Sequence, residues 1–307
     1  MTLSGEEKEI LTQVAGTYEI PEGAYNFRVN GKSVGRASTA NIDVRPKPDK
    51  SGLDIYIRAG TKGEAVHIPV VISMSGLEEV VYNDFYVGEG AEVEIIAGCG
   101  IYNCGGLNSV HDGVHRFHVE KNAKVKYVEK HYGFGPGAGG KILNPMTEVH
   151  LSEGAEAVME LEQIKGVDST KRRTIAEVGG RAKLTVKERI LTHGRQEAES
   201  TFEVMLRGGD SAVSIASRAV ARDTSRQYFG SKIIGEGKCK GHSECDAIIM
   251  DKASVIAMPA LEAKSVDAEL IHEAAIGKIA GEQIVKLMTL GLTESEAESE
   301  IINGFLK

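Results

Sequence analysis

Most of this chain alternates between apolar and polar residues, which is the pattern of β-strands that bury one face. The alternation begins near Tyr18, is interrupted by a loop-like segment at 45–52, and continues to about residue 272. An Asn30-Gly31 pair separates two of the early runs and is typical of a tight β-hairpin turn. The pattern therefore predicts a mainly β protein.

From about residue 80 onward, one sequence unit repeats. It consists of an apolar residue, three turn-type residues, a small residue and an alternating strand. The small residues are Ala91, Ala123, Ala155, Ala182 and Asp210, separated by 27 to 32 residues. Near-constant spacing without helical patterns in between predicts a β-helix, also called a β-solenoid, whose turns stack on one another. Repeats in a β-sandwich are the alternative at this stage.

Helical patterns occur only at the two ends of the chain. Ser4 and Glu7 form a capping box in front of an apolar stripe. We expect an N-terminal helix over 1–17, a β-helix core over 18–272 and a C-terminal helical region over 273–307. Because a β-helix has open ends that must be covered, we also expect the terminal helices to cap them.

Composition narrows the classes of function. The formal charge of −8 argues against nucleic acid as the main partner, since phosphate binding needs a basic face. The acidic, polar N-terminus does not resemble a signal peptide, and no apolar run approaches the ~20 residues of a membrane span. The four cysteines form no CxxC pair, which favours reduced thiols in a cytoplasmic protein.

The candidate chemistry lies near the C-terminus. Cys245 stands between Glu244 and Asp246 in a strand pattern, so alternation places its thiol on the face opposite both carboxylates. Without further information, a small buried core residue is the favoured interpretation of such a cysteine. His272 and Glu273 follow another strand pattern, at the expected junction with the helices. Adjacent strand residues face opposite sides, but this rule loosens at such a junction.

A second group of candidates lies in the middle of the chain. His111, His115 and His118 could form a zinc site, although their segment has a strand pattern and not the helical pattern that would align them. Cys99 and Cys104 lie just upstream. The glycine-rich segment 130–141 lacks the GxxxxGK[ST] pattern, so it is not a phosphate-binding loop and this chain shows no ATPase motif.

Two segments carry a family resemblance. HEAAIGKIAGEQIVKLMTLGLTESEAESEIINGF resembles the C-terminal signature of the SufB/SufD family, the β-helical proteins of the SUF iron–sulfur assembly machinery. ECDAIIMD, at 244–251, resembles the SufB strand that carries the cluster-binding cysteine. The resemblance is close from about residue 244 to the end and weaker upstream. It implies a β-helix with helical ends, in agreement with the repeat pattern.

The resemblance also implies site residues. Cys245 matches the cluster-binding cysteine, which SufD subunits lack, and His272 and Glu273 become candidates for the other ligands of a transient iron–sulfur cluster of unknown type. Thiolate, imidazole and carboxylate are suitable ligands for such a cluster. This interpretation requires a Cys245 thiol that metal can reach, close to both other residues. Cys99 or Cys104 would relay sulfur, and His111 would be an accessory residue.

The resemblance further implies partners. A SufC-like ABC ATPase would dock on the C-terminal helices, a second copy of the chain would pair with the last β turns, and recipient apoproteins would take the cluster. The expected docking residues are Ile284, Leu287, Met288, Ile301, Ile302 and Phe305. The sequence thus predicts a non-enzymatic assembly scaffold. A SufD-like docking subunit and a β-helical polysaccharide-active enzyme are the alternatives.

Overall fold

The computed structural model describes residues 3–307 and is a β-solenoid of about eight turns with three helices. The predicted fold class is therefore confirmed. The helices are α1 (Gly5–Ala15), α2 (Gly281–Met288) and α3 (Glu294–Phe305). The strands are β1 (Ala24–Val29), β2 (Lys32–Ala37), β3 (Ile42–Pro46), β4 (Gly52–Ile57), β5 (Lys62–Ile72), β6 (Glu78–Val87), β7 (Glu92–Tyr102), β8 (Ser109–Val119), β9 (Lys124–Phe134), β10 (Lys141–Leu143), β11 (Met146–Leu151), β12 (Glu156–Lys165), β13 (Ser169–Val178), β14 (Lys183–Thr192), β15 (Glu197–Leu206), β16 (Ser211–Ala221), β17 (Arg226–Gly235), β18 (Cys239–Ile249), β19 (Ser254–Ala263) and β20 (Ala268–Gly277).

Successive strands alternate between two sheets. Sheet A has the order β2-β1-β5-β7-β9-β12-β14-β16-β18-β20, and sheet B runs from β19 through β17, β15, β13, β10, β8, β6 and β4 to β3, with β11 between β13 and β8. All pairs are parallel except the hairpins β1–β2 and β3–β4. The Asn30-Gly31 turn joins β1 to β2 with both residues at positive φ, as the sequence predicts. The strands at the opposite end, β19 and β20, leave one edge of each sheet free.

The repeated small residue marks the tight turn that leads into β7, β9, β12, β14 and β16 of sheet A. Ala91, Ala123, Ala155 and Ala182 are fully buried at these turns. The fifth member is Ser211 and not Asp210, because Ser211 makes the same backbone hydrogen bond to the residue three positions earlier. Asp210, at φ 59°, occupies the left-handed position of the turn. The predicted position of the fifth small residue was therefore wrong by one residue, and the other four were correct.

Interior and exterior residues alternate along every central strand, and the interior is apolar over most of its width. Phe85 stacks on Phe117 of the next turn with ring centroids 4.6 Å apart, and both rings are fully buried. Each buried side chain of this size stabilises the fold by about 1.5–3 kcal/mol relative to its exposed state. Stacking the same position in successive turns thus builds one continuous core.

The N-terminal helix packs on the outer face of sheet A and not on an end of the solenoid. Ile10 and Val14 lie directly over Gly100 and Gly98 of β7. A Cβ at Gly100 would stand 2.2 Å from Ile10 Cγ2, so glycine allows this close approach. The predicted N-terminal cap is therefore wrong for the position of the helix. Residues 1 and 2 of the predicted helical segment 1–17 lie outside the described part of the chain.

The C-terminal helices also lie beside the solenoid. Ile302 and Leu306 of α3 pack against Val220 of β16, near the carboxyl ends of the sheet A strands. The hairpin strands β2 and β3 form the sheet edges at the N-terminal end of the solenoid, and β19 and β20, which are mostly exposed, form the edges at the other end. The expected end caps are thus absent from residues 3–307. β20 extends to Gly277, so the strand-to-helix change comes later than the predicted 272/273 boundary.

In the described range 3–307, no helix combines the length and the apolar character needed to span a bilayer.

Candidate functional site

Cys245 points into the solenoid from β18. Glu244 and Asp246 point outward, as the alternation predicts. The Cys245 side chain is 0% exposed and belongs to the main hydrophobic core. Burial, together with the nearby negative charges of Glu188 and Asp246, raises the pKa of this thiol to about 12. The thiol is therefore neutral and closed off from solvent.

His272 lies on β20, the only strand that separates β18 from solvent at this end of sheet A. In the parallel register, His272 is opposite Ser243, and Cys245 is opposite Ala274. Ser243 and Cys245 both face the interior, so His272 faces the same side as the thiol, one residue pair away. The Nδ1 atom of His272 is buried without a hydrogen-bond partner. An imidazole nitrogen and a thiolate sulfur are both donor atoms that bind iron.

Glu273 faces the opposite way. Because β20 is regular up to Gly277, strand alternation holds here and does not loosen as expected at a helix junction. Glu273 is exposed on the outer face, where its Oε2 lies 3.3 Å from His242 Nε2. The structure thus brings Cys245 and His272 to one side and Glu273 to the other. Within residues 3–307, no three His, Cys, Asp or Glu side chains are positioned to share a metal ion.

Polar residues recur at the interior position of Cys245 on other strands of sheet A, with buried Leu161 of β12 between the two carboxylates. The register places Cys245 beside Ser217, Ser217 beside Glu188, and Glu188 two strands from Glu129 at the same interior position. We call these four residues the interior ladder. Arg172 reaches across from sheet B, hydrogen-bonds Glu129 and places its Nε 3.7 Å from Glu188 Oε1.

The two carboxylates of the interior ladder differ in their electrostatics. Burial alone would raise the pKa of Glu129, but the Arg172 guanidinium lowers it to well below the ordinary value, with His131 contributing in the same direction. For Glu188, burial dominates and raises the pKa, although Arg172, Ser200 and Ser217 oppose this. Ser200 donates to Glu188 at 2.6 Å. Arg172 therefore lies beside two different carboxylates: Glu129 is ionised, and Glu188 is more easily protonated.

Cys99 lies near the other end of the interior, on β7. It is 3% exposed, and burial raises the pKa of its thiol well above the ordinary value. It borders a small cavity with His111, His115, Glu129 and His131. His111 Nδ1 lies 3.0 Å from Glu79 Oε1. Burial lowers the pKa of His115 to about 4, so this imidazole is neutral at pH 7.

Cys104 differs from Cys99 because it is exposed, in the loop after β7. The zinc site considered from the sequence is wrong for a geometric reason. His111 and His115 point into the solenoid, whereas His118, an odd number of residues away, points outward and stacks on His150.

The six residues predicted to dock a partner are not equivalent. Ile302 is buried against the chain's own β16, and Phe305 packs on the edge of the same cluster, so Ile302 is not available for docking. Met288 of α2 is exposed. Sequence reasoning missed Val285 and Leu290, whose side chains are exposed beside it. These three residues form the apolar surface that we call the α2 patch.

The interior ladder was also missed from the sequence, although a signal was present. In KVKYVEKHY, Glu129 shares the parity of the apolar residues Val125 and Tyr127, and Glu188 does so in KLTVKERIL. A charged residue at an apolar position of an alternating strand predicts a buried charge, which needs an opposite charge nearby.

Comparisons with known proteins agree with this architecture. A family model described as SUF system FeS cluster assembly, SufBD core domain, matches residues 79–305. A protein of Archaeoglobus fulgidus named iron-sulfur cluster assembly SufBD family protein is 30% identical over 270 residues, covering 84% of this chain and 70% of the relative. A protein of Methanocaldococcus jannaschii with the same family name is 25% identical over 323 aligned positions, covering 100% of this chain and 99% of the relative.

A further SufBD family relative, from Methanothermobacter thermautotrophicus strain Winter, is 30% identical over 231 residues, and the chain spans only about half of its length, 55%. The family model, in contrast, covers well over half of the present chain, including the strands of Cys99 and Cys245 and the C-terminal helices. Because this model covers most of the chain, the chain belongs to the SufBD family of iron–sulfur cluster assembly proteins.

Proposed function

We propose that this chain is a scaffold on which iron–sulfur clusters are built, with Cys245, His272 and Glu273 as the cluster ligands. The observation that carries the proposal is the shared interior orientation of Cys245 and His272 on neighbouring strands, with His272 Nδ1 unpaired. The thiolate is the soft ligand that iron–sulfur clusters require. The imidazole and carboxylate bind iron less strongly than thiolates do, which suits a cluster that is passed on to recipient apoproteins.

The cluster can form only when β20 moves away from β18. β20 pairs with β18 on one side and has a free edge on the other, and most of its residues are exposed. Edge strands with few buried contacts are among the first elements to open. The same movement frees Glu273 from His242 and uncovers the Cys245 thiol. Glu273 can then turn toward the two other ligands.

A second copy of the chain is the proposed partner of the last turn. The free edges of β19 and β20 can extend their sheets into a neighbour. This turn also exposes apolar side chains, namely Ile256, Met258, Val266, Ile271 and Ile276. Ile256 and Met258 lie together on the outer face of β19, and exposed apolar side chains of this kind are typical of protein–protein interfaces. Introducing Glu at Met258 should convert a dimer to a monomer in sedimentation experiments, whereas Glu at exposed Val34 of β2 should not.

The α2 patch is the proposed docking surface for a SufC-like ABC ATPase. Val285, Met288 and Leu290 are exposed, and Ile284 and Leu287 are half-buried beside them. ATP-driven movement of the docked subunit would pull on the segment between α2 and β20, which is only three residues long. Val285→Glu should abolish co-purification with the ATPase and leave the unfolding temperature unchanged. Gln283→Glu, at an exposed position of the same helix, introduces the same single charge and is the matched control.

Cys99, and not Cys104, is the better candidate for sulfur relay in this proposal. Cys99 faces the interior that also contains Cys245, whereas Cys104 is exposed in a loop. Ser217, Glu188 and Glu129 of the interior ladder lie on strands of sheet A between the strands of the two thiols, with Leu161 of β12 among them. His111, whose Nδ1 lies 3.0 Å from Glu79 Oε1, is the proposed accessory residue.

Anaerobic reconstitution with iron and sulfide tests the proposed function. Cys245→Ser should abolish the iron–sulfur absorbance and Mössbauer signals of the wild type without changing the unfolding temperature. Cys239→Ser, on the same strand and also buried, is the matched control and should retain both signals. Unchanged signals in Cys245→Ser would contradict the proposal. A wild type that binds the ATPase but no iron would favour the SufD-like docking role.

A further inference from the structure

A cavity of about 190 Å³ lies at the N-terminal end of the solenoid. It is formed between the hairpin β1–β2 of sheet A and the segment that joins β3 to β4 of sheet B. Because β2 and β3 are the edge strands at this end, no further turn of the described chain covers the interior between them. The cavity is therefore far from the last turn, where Cys245 and His272 lie.

One wall of this cavity is polar, and its floor is aliphatic. In the register of the β1–β2 hairpin, Asn26 is opposite Arg36, and Arg28 is opposite Ser33. Side chains directly opposite each other lie on the same face of a sheet, and Asn26 is buried, so all four face the interior. The floor consists of buried side chains of the next strands, namely Leu53, Ile68, Val70 and Val81. The cavity can thus hold a ligand that has a polar and a hydrocarbon part.

One guanidinium group beside the cavity has no carboxylate partner. Arg28 donates to Glu79 at 2.9 Å, and Lys47 is paired with Asp84, so these two charges are compensated. Arg36 also lines the cavity, is exposed, and forms no ion pair with a carboxylate of residues 3–307. No Asp or Glu of the described chain lines the cavity itself. This arrangement favours a ligand with one carboxylate, which a guanidinium can bind through two parallel hydrogen bonds.

A second polar group of the cavity lacks a partner. Asn83 is 4% exposed and lines the cavity, and its Oδ1 atom is buried without a hydrogen bond. Buried polar atoms nearly always have a partner, and an amide oxygen can only accept, so the missing partner is a donor. An ammonium donor would lie among the cations Arg28, Arg36 and Lys50, whose charges repel it. A hydroxyl group is therefore the donor that fits.

We propose that this cavity is a binding site for a small aliphatic hydroxy acid. The carboxylate of the ligand pairs with Arg36, its hydroxyl group donates to Asn83 Oδ1, and its hydrocarbon part packs on the aliphatic floor. The volume of 190 Å³ is more than about ten times the ~10–15 Å³ that one water molecule needs, so a ligand of this kind has room. The site shares no residue with the proposed cluster site or with the α2 patch, so the proposal is independent of the scaffold function.

Isothermal titration calorimetry of the full chain at pH 7 tests this site with three matched probes. Leucate is the α-hydroxy acid that carries the leucine side chain, isocaproate is the same acid without the hydroxyl group, and leucine has an ammonium group in its place. We expect leucate to bind. Isocaproate should bind about fivefold more weakly, because one neutral hydrogen bond is lost. Leucine should also bind more weakly than leucate, because its ammonium group lies among cations.

One pair of variants tests the role of the unpaired guanidinium. Arg36→Met should weaken the binding of leucate by about tenfold or more, because a charge-assisted pair of hydrogen bonds is lost. Arg36 is exposed, so this variant should fold like the wild type. Lys32→Met is the matched control, since Lys32 is exposed on the same strand and does not line the cavity. It removes the same charge and should leave the affinity for leucate unchanged.

Three outcomes would overturn the proposal. They are a wild type that does not bind leucate, equal affinities for leucate and isocaproate, and equal effects of Arg36→Met and Lys32→Met. None of these measurements involves Cys245 or iron. A failure of the scaffold function would instead appear as iron–sulfur signals that survive in Cys245→Ser, so the two failures are distinguishable.

Discussion

Ser217 Oγ donates a 2.8 Å hydrogen bond to Glu188 Oε2, while Ser217 is also the register partner of Cys245 on the next strand. One hydroxyl therefore stands between a buried carboxylate and the proposed cluster-binding thiol. The negative charge of Glu188 adds to burial in raising the pKa of Cys245 to about 12. Metal binding at this position starts from a neutral thiol that must lose a proton.

Ser217→Ala should destabilise the protein by about 1–2 kcal/mol, because Glu188 then loses one of its two serine donors while it remains buried. The pKa of Glu188, already raised by burial, should rise further. Urea unfolding at pH 7 measures the first effect. Ser214→Ala is the control, since Ser214 lies on the outer face of the same strand and should cost less than about 0.5 kcal/mol. Equal effects of the two substitutions would contradict this account.

Arg172→Met should destabilise the protein by about 3–5 kcal/mol. The substitution leaves Glu129 and Glu188 buried without their shared cation, and removing one partner of a buried ion pair has a cost of this size. The neighbouring Arg173 is exposed, so Arg173→Met is a matched control with an expected change below about 0.5 kcal/mol. The urea unfolding midpoints of the two variants, compared with that of the wild type, measure both changes in stability. A mild effect of Arg172→Met would mean that the two carboxylates are not ionised together.

His272→Leu should leave the stability of the cluster-free protein unchanged or raise it by up to about 1 kcal/mol, because Nδ1 is buried without a partner. The same variant should lose its cluster faster than the wild type after reconstitution, since one of the proposed ligands is missing. Thermal unfolding measures the first quantity, and the decay of iron–sulfur absorbance with a chelator measures the second. A large loss of stability would show that His272 has a structural role instead.

Acid should destabilise the protein partly through His115. Burial lowers its pKa to about 4, below the ordinary value of 6.5, so the unfolded chain binds a proton that the folded protein does not. This contribution is fully present above pH 6.5 and is lost as the pH falls toward 4, by about 3 kcal/mol in total.

His115→Asn should therefore lose less stability than the wild type between pH 6.5 and 4.5, as measured by urea midpoints. Glu129 titrates in a different window, because its pKa lies well below 4.5 and its contribution is lost only at lower pH. Parallel curves for the two proteins between pH 6.5 and 4.5 would show that folding does not lower the pKa of His115.

The candidate site was only partly predictable. Alternation around Cys245 correctly predicted an interior thiol, because neighbouring strand residues must face opposite sides. The same rule separates His272 from Glu273, yet the sequence suggested a junction at residue 272, since nothing local shows that β20 continues to Gly277. Ile302 was assigned to a partner because an apolar helix residue looks the same whether it packs on its own chain or on another one.

The sequence by itself determined the repeating strand and turn pattern, and with it the solenoid, because turn residues and alternation act over a few neighbouring positions. Only the tertiary structure decided that Arg172 of one sheet meets Glu129 and Glu188 of the other, and that the terminal helices lie beside the solenoid and leave its last turn open. These relationships depend on which turns stack and which faces meet across the interior. A local sequence pattern does not encode contacts between residues so far apart in the chain.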